Sequence, residues 1–241
     1  MSYLLTVVAT MTGSISLLLF GLFVYGYSLT LVDLGYGRKE ILAWDGFLCL
    51  LFFLQHSGMI RKPFRRCLAG VVPYHYHGAF YTIASAAALF LLVLCWQDTG
   101  QMLYSLDGIE RWIARGVFFA SLLGMFWGMC VLHSFDVFGI RPVLDGIRSS
   151  QEKSTALVIR GPYRWVRHPL YFFTLVLIWS APDVTVDRLL FNVLFSAWIV
   201  LGTILEERDL VVEFGEVYRG YQRNVPMLLP CKLPSADLSG D

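Results

Sequence analysis

The feature of this sequence that most constrains its fold is a series of long apolar segments with very few charged residues. Four of them lie at 3–32, 41–59, 79–96 and 111–135. An α-helix needs about 20 mostly apolar residues to cross a bilayer. Only 15% of the residues are charged, against about 25% in an ordinary soluble domain. The sequence therefore predicts an all-α fold with four membrane-spanning helices.

A further apolar region near the C-terminus is divided by a short polar turn. Residues 169–181 predict a short helix and 186–205 a returning helix, with the turn at 182–185 between them. The polar residues 206–221 predict an amphipathic helix in the cytosol. The predicted architecture is a polytopic membrane helix bundle with four spans, a C-terminal transmembrane helical hairpin and this amphipathic helix.

The distribution of basic residues indicates the orientation. The loops at 61–78 and 141–168 and the C-terminal segment hold most of the Lys and Arg residues, whereas the 97–110 loop holds none. Cytoplasmic loops carry an excess of Lys and Arg, so both termini are predicted to be cytoplasmic. Residues 1–231 are predicted to form a single integral-membrane domain, followed by a flexible tail at 232–241.

Charge and cysteine content exclude several classes of function. The formal net charge is +1, and the chain lacks a basic tail, so no nucleic-acid partner is predicted. None of the five cysteines forms a CxxC pair. We interpret them as small apolar side chains rather than as a disulfide framework or a zinc site, and no metal site is predicted.

A polar cluster opens the C-terminal hairpin with Arg167, His168, Pro169 and Tyr171. Proline suits the first turn of a helix, where its missing N–H costs nothing. Free backbone N–H groups beside His168 could then hold a carboxylate. The other interpretation is an interfacial anchor, since Arg, His and Tyr are common at membrane edges.

A second polar cluster, Glu206-Glu207, closes the hairpin. Two adjacent carboxylates at the inner end of an apolar span are costly near lipid and need partners. Arg167, His168 and Arg208 are the candidates. Such a carboxylate could bind a ribose hydroxyl or an ammonium group, or the pair could be a solvated helix end.

Two aromatic residues and two histidines complete the candidates. Tyr218 and Tyr221 share one face of the predicted helix, where they could stack on an adenine ring or pack on the bilayer surface. His56 and His133 lie at the ends of two predicted spans, and Asp136 follows His133 closely. A histidine at such a place could serve as a proton relay, a thiol site or a haem ligand, or be a satisfied polar group between helices.

With these residues in view, the C-terminal third resembles the isoprenylcysteine carboxyl methyltransferase superfamily. The pattern of that superfamily is roughly GPY-x3-RHP-x-Y, an apolar hairpin, and EE-x2-L-x3-FG-x2-Y-x2-Y-x3-VP. The chain matches it in order and spacing with Gly161-Pro162-Tyr163, Arg167-His168-Pro169, Tyr171, Glu206-Glu207, Leu210, Phe214-Gly215, Tyr218, Tyr221 and Val225-Pro226.

This resemblance implies a cofactor site for S-adenosyl-L-methionine in about residues 160–230, between the hairpin and the C-terminal helix. The implied cofactor-binding residues are Gly161, Tyr163, Arg167, His168, Tyr171, Glu206, Glu207, Tyr218 and Tyr221.

Within the superfamily, the chain is similar to the bacterial methanethiol S-methyltransferases. The 206–210 and 225–230 segments carry this likeness, and the 133–141 segment resembles a His-x-Phe-Asp-x-Phe-Gly-x-Arg element. The similarity implies methylation of a small volatile thiol, methanethiol, to dimethyl sulfide at the cytoplasmic face of a bacterial inner membrane. It makes His133, Asp136 and Arg141 the candidate catalytic residues.

Two alternatives remain open at the level of the sequence, and a third, a non-enzymatic scaffold or transporter, would leave both polar clusters without a reason. One is methylation of a prenylated or other lipophilic thiol or carboxylate. The other is a haem-binding membrane protein resembling the NnrU and carotene-isomerase group, for which His56-Ser57-Gly58 is the cue and His133 a second ligand. The sequence fixes neither the methyl acceptor nor the oligomeric state.

Overall fold

The computed structural model describes residues 2–132, 136–143 and 157–231. The helices with both ends in this part are α1 (Ser2–Tyr25), α2 (Arg38–Ile60), α3 (Lys62–Ala69), α4 (His77–Leu94), α5 (Gly108–Val131), α6 (Pro169–Trp179), α7 (Val186–Phe214) and α8 (Glu216–Asn224). Two short strands, β1 (Met102–Ser105) and β2 (Asp183–Thr185), pair with each other. Short 3-10 helices occupy Tyr74–Tyr76 and Gly161–Arg164.

Within the described residues, five helical segments are long and apolar enough to cross a membrane. They are α1, α2, the segment Tyr74–Leu94 that ends in α4, α5, and α7, while α6 is a shorter apolar helix. The predicted all-α polytopic bundle is thereby confirmed. The first span is shorter than the predicted 3–32 segment, because α1 ends at Tyr25 and Gly26 follows with a φ of +119°.

The C-terminal part differs from the prediction in where the helices divide. The returning helix does not end at 205 but continues as α7 to Phe214. Gly215 then adopts a φ of +58°, a left-handed conformation that favours glycine and ends the helix. The amphipathic helix is therefore α8, which begins at Glu216, and both Glu206 and Glu207 belong to the spanning helix.

The described residues fall into two compact units. The first contains 2–104, 136–143 and 183–194, and the second contains 105–132, 157–182 and 195–231. The assignment of 1–231 to a single domain stays a prediction, and the predicted tail lies outside the described residues.

In the first unit, the 136–143 segment packs closely against α4. A Cβ atom added to Gly78 would lie 2.4 Å from the carbonyl oxygen of Gly139, so neither backbone could approach the other with a larger residue. The Thr82 hydroxyl donates a hydrogen bond to the Phe138 carbonyl oxygen over 2.8 Å. These contacts hold the segment that carries Asp136 and Arg141 in place.

The first unit also contains a buried polar network that the sequence did not indicate. Asp187 is 1% exposed, and its carboxylate accepts hydrogen bonds from Trp96 Nε1 at 3.1 Å and from the Thr99 hydroxyl at 2.6 Å. Asp45 is fully buried and accepts a bond from the backbone N–H of Gln97 at 3.0 Å. The loop after α4 is thus fastened by carboxylates of α2 and α7.

In the second unit, α6 packs on α5 through glycines. A Cβ added to Gly124 would lie 2.3 Å from Cε1 of Phe173, and one added to Gly128 would lie 2.9 Å from Cδ2 of Leu170. Small residues allow this close helix approach within a membrane. The seam fixes the direction of α6, which begins at Pro169 directly after the first polar cluster.

We expect Gly124→Ala to destabilise the protein by about 1–3 kcal/mol, because the added methyl group overpacks the seam against the Phe173 ring. The measurement is the thermal unfolding of the detergent-purified protein. Gly116→Ala is the matched control, since a Cβ at Gly116 on the same helix meets open space. A second change, Phe173→Leu, should recover part of the loss in the Gly124→Ala background. Equal melting temperatures for the two glycine variants would contradict the close seam.

Candidate functional site

The centre of the polar site in the second unit is the carboxylate of Glu207, on α7. Arg167 binds it in bidentate fashion, with Nε donating to Oε1 and Nη2 to Oε2, both over 2.8 Å. His168 Nε2 and the Tyr218 hydroxyl each lie 2.8 Å from Oε1. Gln222 Nε2 donates to Oε2 over 2.5 Å. The start of α6, the end of α7 and α8 therefore meet on one carboxylate.

This arrangement saturates Glu207. The residue is 7% exposed, and an ionised carboxylate offers about four lone-pair positions, all of which these donors use. Charge-assisted bonds of this kind are roughly twice as strong as neutral ones, and the bidentate Arg167 contact also fixes geometry. Glu207 consequently joins three segments of the chain and has no free acceptor position for a ligand.

Arg167 extends the same connection to the segment after α8. Its Nη1 also donates to the backbone carbonyl oxygen of Val225. Its backbone N–H donates to the Pro226 carbonyl oxygen over 2.9 Å, and that of His168 to the Met227 carbonyl oxygen over 3.2 Å. The Val-Pro element of the sequence pattern is therefore fastened to the Arg-His-Pro element by backbone bonds.

The two tyrosines of α8 are packed inside the unit. Tyr218 is 1% exposed and Tyr221 4%, and the Tyr221 hydroxyl donates to the Tyr163 carbonyl oxygen over 2.5 Å. Burial raises the pKa of Tyr218, and its hydrogen bond to Glu207 and the charge of that carboxylate raise the pKa further. Burial likewise raises the pKa of Tyr221 and of Tyr163. All three phenols therefore stay protonated at neutral pH, and the hydroxyls of Tyr218 and Tyr221 act as hydrogen-bond donors.

We expect Tyr218→Phe to lower the unfolding free energy by about 1.5–3 kcal/mol, because it removes one hydrogen bond to a buried charged group while keeping the ring. Thermal unfolding of the purified protein measures the loss. Tyr104→Phe is the control, since the exposed Tyr104 hydroxyl makes no hydrogen bond to any described residue. If both variants melt together, the bond to Glu207 contributes nothing to stability.

Glu206, one position earlier on α7, has a different environment. Its side chain is 44% exposed, and its Oε2 accepts a hydrogen bond from the Tyr171 hydroxyl over 2.8 Å. His168 Nδ1 lies 3.8 Å from the same oxygen, and the rings of His168 and Tyr171 stack 5.6 Å apart. Oε1 of Glu206 accepts no hydrogen bond from the described residues.

The open side of the site therefore presents acceptors. The Glu207 carboxylate can only accept, so Nε2 of His168 donates the hydrogen of their bond. The free Oε1 of Glu206 offers a ligand lone pairs and negative charge. Such a surface suits a ligand that brings hydroxyl or ammonium donors and positive charge.

Two of the three predicted partners of the glutamate pair bind it, and the third does not. Arg167 and His168 bind Glu207, as the sequence indicated, but Arg208 makes no hydrogen bond or ion pair with either glutamate. Successive residues of an α-helix are about 100° apart, so Arg208 lies about 200° from Glu206 around α7. Gln222 is not among the residues predicted from the sequence. Its position four residues after Tyr218 places it on the same face of α8, a spacing from which it could have been found.

Gly161 has a structural role in the site. Its φ is +54°, and an added Cβ would lie 2.8 Å from Cγ2 of Val131 on α5. Only glycine fits both conditions, so this residue sets the path of the chain into the 3-10 helix that contains Tyr163.

The candidate catalytic residues are placed as follows. His133 lies outside the described residues. Asp136 and Arg141 belong to the first unit, where Asp136 Oδ2 accepts a hydrogen bond from the backbone N–H of Arg141 over 2.7 Å. His56, also in the first unit, has both ring nitrogens 3.0 Å from the Tyr81 hydroxyl.

Comparison with known proteins identifies the class. The family model described as "NnrU protein" matches residues 46–225, which include every residue of the Glu207 cluster. The chain belongs to the NnrU family. With five potential spans among its described residues, it is an integral membrane protein.

Several relatives of the chain carry a more specific name. The chain is 37% identical over 191 residues to the methanethiol S-methyltransferase of Pseudomonas sp. strain GM41, covering 77% of this chain and 72% of that protein. It is 35% identical over 206 residues to the methanethiol S-methyltransferase of Pseudomonas deceptionensis, covering 83% and 77%. It is 34% identical over 183 residues to methanethiol S-methyltransferase 2 of Bradyrhizobium diazoefficiens, covering 76% and 71%. No solved structure matches the chain.

Proposed function

We propose that this protein is an S-adenosyl-L-methionine-dependent methanethiol S-methyltransferase that converts methanethiol into dimethyl sulfide. The observation that carries the proposal is the similarity to the named methyltransferases over three quarters or more of the chain. The geometry of the Glu206 side of the site supports it, because that side presents acceptors to a ligand.

S-adenosylmethionine offers the hydrogen-bond donors and the positive charge that such a surface of acceptors would bind. It carries ribose hydroxyls, an ammonium group and a sulfonium, and bound here it would supply an electrophilic methyl group. We assign direct contact with it to Tyr171, His168 and Glu206. The remaining predicted cofactor residues would position these three side chains without touching the cofactor. They are Gly161, Tyr163, Arg167, Glu207, Tyr218 and Tyr221.

The protein must also activate the acceptor. An alkyl thiol has a pKa above that of cysteine, about 8.5, so little thiolate exists at neutral pH. We propose that His133 and Asp136 take up the thiol proton and that the cationic Arg141 stabilises the thiolate. The further task of the chain is to hold the sulfur in line with the transferable methyl group and to exclude water.

Single substitutions test this assignment. We expect His133→Ala, Asp136→Asn and Arg141→Gln each to lower dimethyl sulfide formation, with about 10²-fold loss for the residue that acts as general base. Gas chromatography measures the product, and calorimetry with S-adenosylhomocysteine should show unchanged cofactor affinity. Arg38→Gln, at the start of α2, is the control. Full activity in all three variants would rule out the assignment of these residues to activation of the thiol.

We place the site and both termini at the cytoplasmic face of a bacterial inner membrane, because the basic loops flank the polar clusters. Reporter fusions at the C-terminus and in the 97–110 loop test the orientation. Activity of a cytoplasmic reporter in the loop, and not at the C-terminus, would reverse it.

The haem alternative has its own test. The Tyr81 hydroxyl already lies 3.0 Å from the ring nitrogens of His56, the residue that would have to ligate the iron. We expect purified protein to show no Soret band and to bind S-adenosylhomocysteine. The lipophilic-acceptor alternative is decided by an acceptor panel, in which methanethiol should outperform prenylated thiols.

A further inference from the structure

Arg208 is a cation that the proposed reaction does not use. It is exposed, and it makes no hydrogen bond, ion pair or ring contact with any described residue. It lies about 200° around α7 from Glu206, so it is directed away from the open acceptor surface. Its guanidinium at the polar end of a membrane-spanning helix therefore needs another explanation.

A groove of about 410 Å3 lies beside Arg208. Its walls come from three segments of the second unit: α7, α8 and the chain after α8. The lining residues are Ile204, Glu207, Arg208, Val211, Gln222 and Met227. The volume falls within the range of about 300–1,000 Å3 that is usual for ligand pockets.

The chemistry of the walls is apolar with one available charge. Ile204 and Val211 flank Arg208 on one face of α7, at the i, i+4, i+7 spacing. Glu207 and Gln222 are also polar, but they bind each other over 2.5 Å, and Arg167 neutralises the carboxylate. Among the described residues that line the groove, the Arg208 guanidinium is the one charged group without an ion-pair partner.

We propose that this groove binds a phospholipid, with an acyl chain along the apolar wall and the phosphate on Arg208. Arginine binds phosphate oxygens through two parallel hydrogen bonds. Basic pockets at the ends of transmembrane helices hold lipid headgroups in the same way. Val212, the next residue on this helix after Val211, is 78% exposed, as expected of a surface that faces lipid.

The position of the groove connects this lipid to the site. Glu207 and Gln222 line the groove on one side, and their hydrogen bonds hold α7 and α8 together on the other. A bound acyl chain keeps water away from those bonds. The lipid therefore stabilises the contact between α7 and α8, and it lies on a different face of α7 from Glu206.

Native mass spectrometry with dioleoylphosphatidylglycerol tests the proposal. Delipidated wild-type protein should bind one lipid molecule, and Arg208→Gln should bind it about tenfold more weakly, the loss expected for one charge-assisted contact. Arg219→Gln is the matched control, because Arg219 is an exposed arginine on α8 that pairs with Glu216 at 3.3 Å. This control should bind the lipid as the wild type does.

A second variant tests the acyl-chain part. Val211→Trp fills the groove without a change of charge and should also weaken binding, while Arg208→Lys should retain most of it. Equal lipid binding by the wild type, Arg208→Gln and Val211→Trp would overturn the proposal. So would displacement of the lipid by inorganic phosphate alone, or a dimer in place of a lipid adduct, which would mean that a second copy covers the groove. Because the readout is lipid mass, the result is independent of methyl transfer.

Discussion

Replacing Glu207 by alanine should destabilise the protein by about 3–5 kcal/mol. The change removes the acceptor of five hydrogen bonds and leaves Arg167 buried without its carboxylate, and loss of one partner of a buried ion pair has this cost. The start of α6 and α8 would lose their common attachment to α7. Thermal unfolding in detergent, followed by circular dichroism, measures the effect.

The control is Glu213→Ala, an exposed carboxylate on the same helix with no partner in the described part of the chain. Its unfolding free energy should change by less than about 0.5 kcal/mol. The double variant Arg167→Met, Glu207→Leu should be more stable than Glu207→Ala, because it leaves no unpaired charge. If Glu207→Ala melts with Glu213→Ala, the carboxylate does not hold the segments together.

Replacing Glu206 by alanine should lower the affinity for the ligand rather than the stability of the protein. We expect an almost unchanged melting temperature, because the side chain is 44% exposed and makes one hydrogen bond to Tyr171. Affinity for S-adenosylhomocysteine should fall by about 100-fold, the loss of one strong or two moderate bonds to a charged acceptor. Glu206→Gln keeps an acceptor without the charge and should lose less.

Calorimetric titration and thermal unfolding of the same preparations separate the two glutamates. Glu213→Ala again serves as the control and should bind the ligand normally. A Glu206→Ala variant that melts early and binds the ligand normally would mean that the roles of the neighbouring carboxylates are reversed.

The arrangement of apolar helices was predictable because the bilayer imposes it. Backbone groups in lipid must be satisfied within a helix, so long apolar runs specify spans with little dependence on the rest of the chain. The end of α1 at Tyr25 depended on the positive φ of Gly26, and the division between α7 and α8 on that of Gly215. The sequence around a glycine does not show whether the glycine will adopt a positive φ and end a helix.

The meeting of the two polar clusters was predictable, but the roles of the individual residues were not. The spacing of the Arg-His-Pro and Glu-Glu elements indicated that they meet. It did not indicate that Glu207 is buried and saturated while Glu206 is open, since adjacent residues differ only by rotation of about 100° around one helix. For the same reason, Arg208 lies on a different face of α7 from Glu206 and is not a partner of the glutamate pair. These outcomes depend on how α6 and α8 pack on α7.

The different roles of two adjacent residues give the site a simple physical logic. A ligand-binding carboxylate must be held in a fixed direction without being neutralised by its own support. Here Glu207 takes the cation and the internal donors, while Glu206 keeps a free oxygen on the open side. We therefore propose that rigidity and ligand contact belong to different carboxylates of the same helical turn.

The most direct test of the central claim is a methyl-transfer assay with labelled donor. Purified protein is given S-adenosylmethionine with a deuterated methyl group and unlabelled methanethiol, and the vapour is analysed by gas chromatography with mass spectrometry. The account predicts dimethyl sulfide that carries one intact deuterated methyl group, formed by the wild type and greatly reduced in Glu206→Ala. A folded wild-type protein that binds S-adenosylhomocysteine but forms no labelled dimethyl sulfide would contradict it.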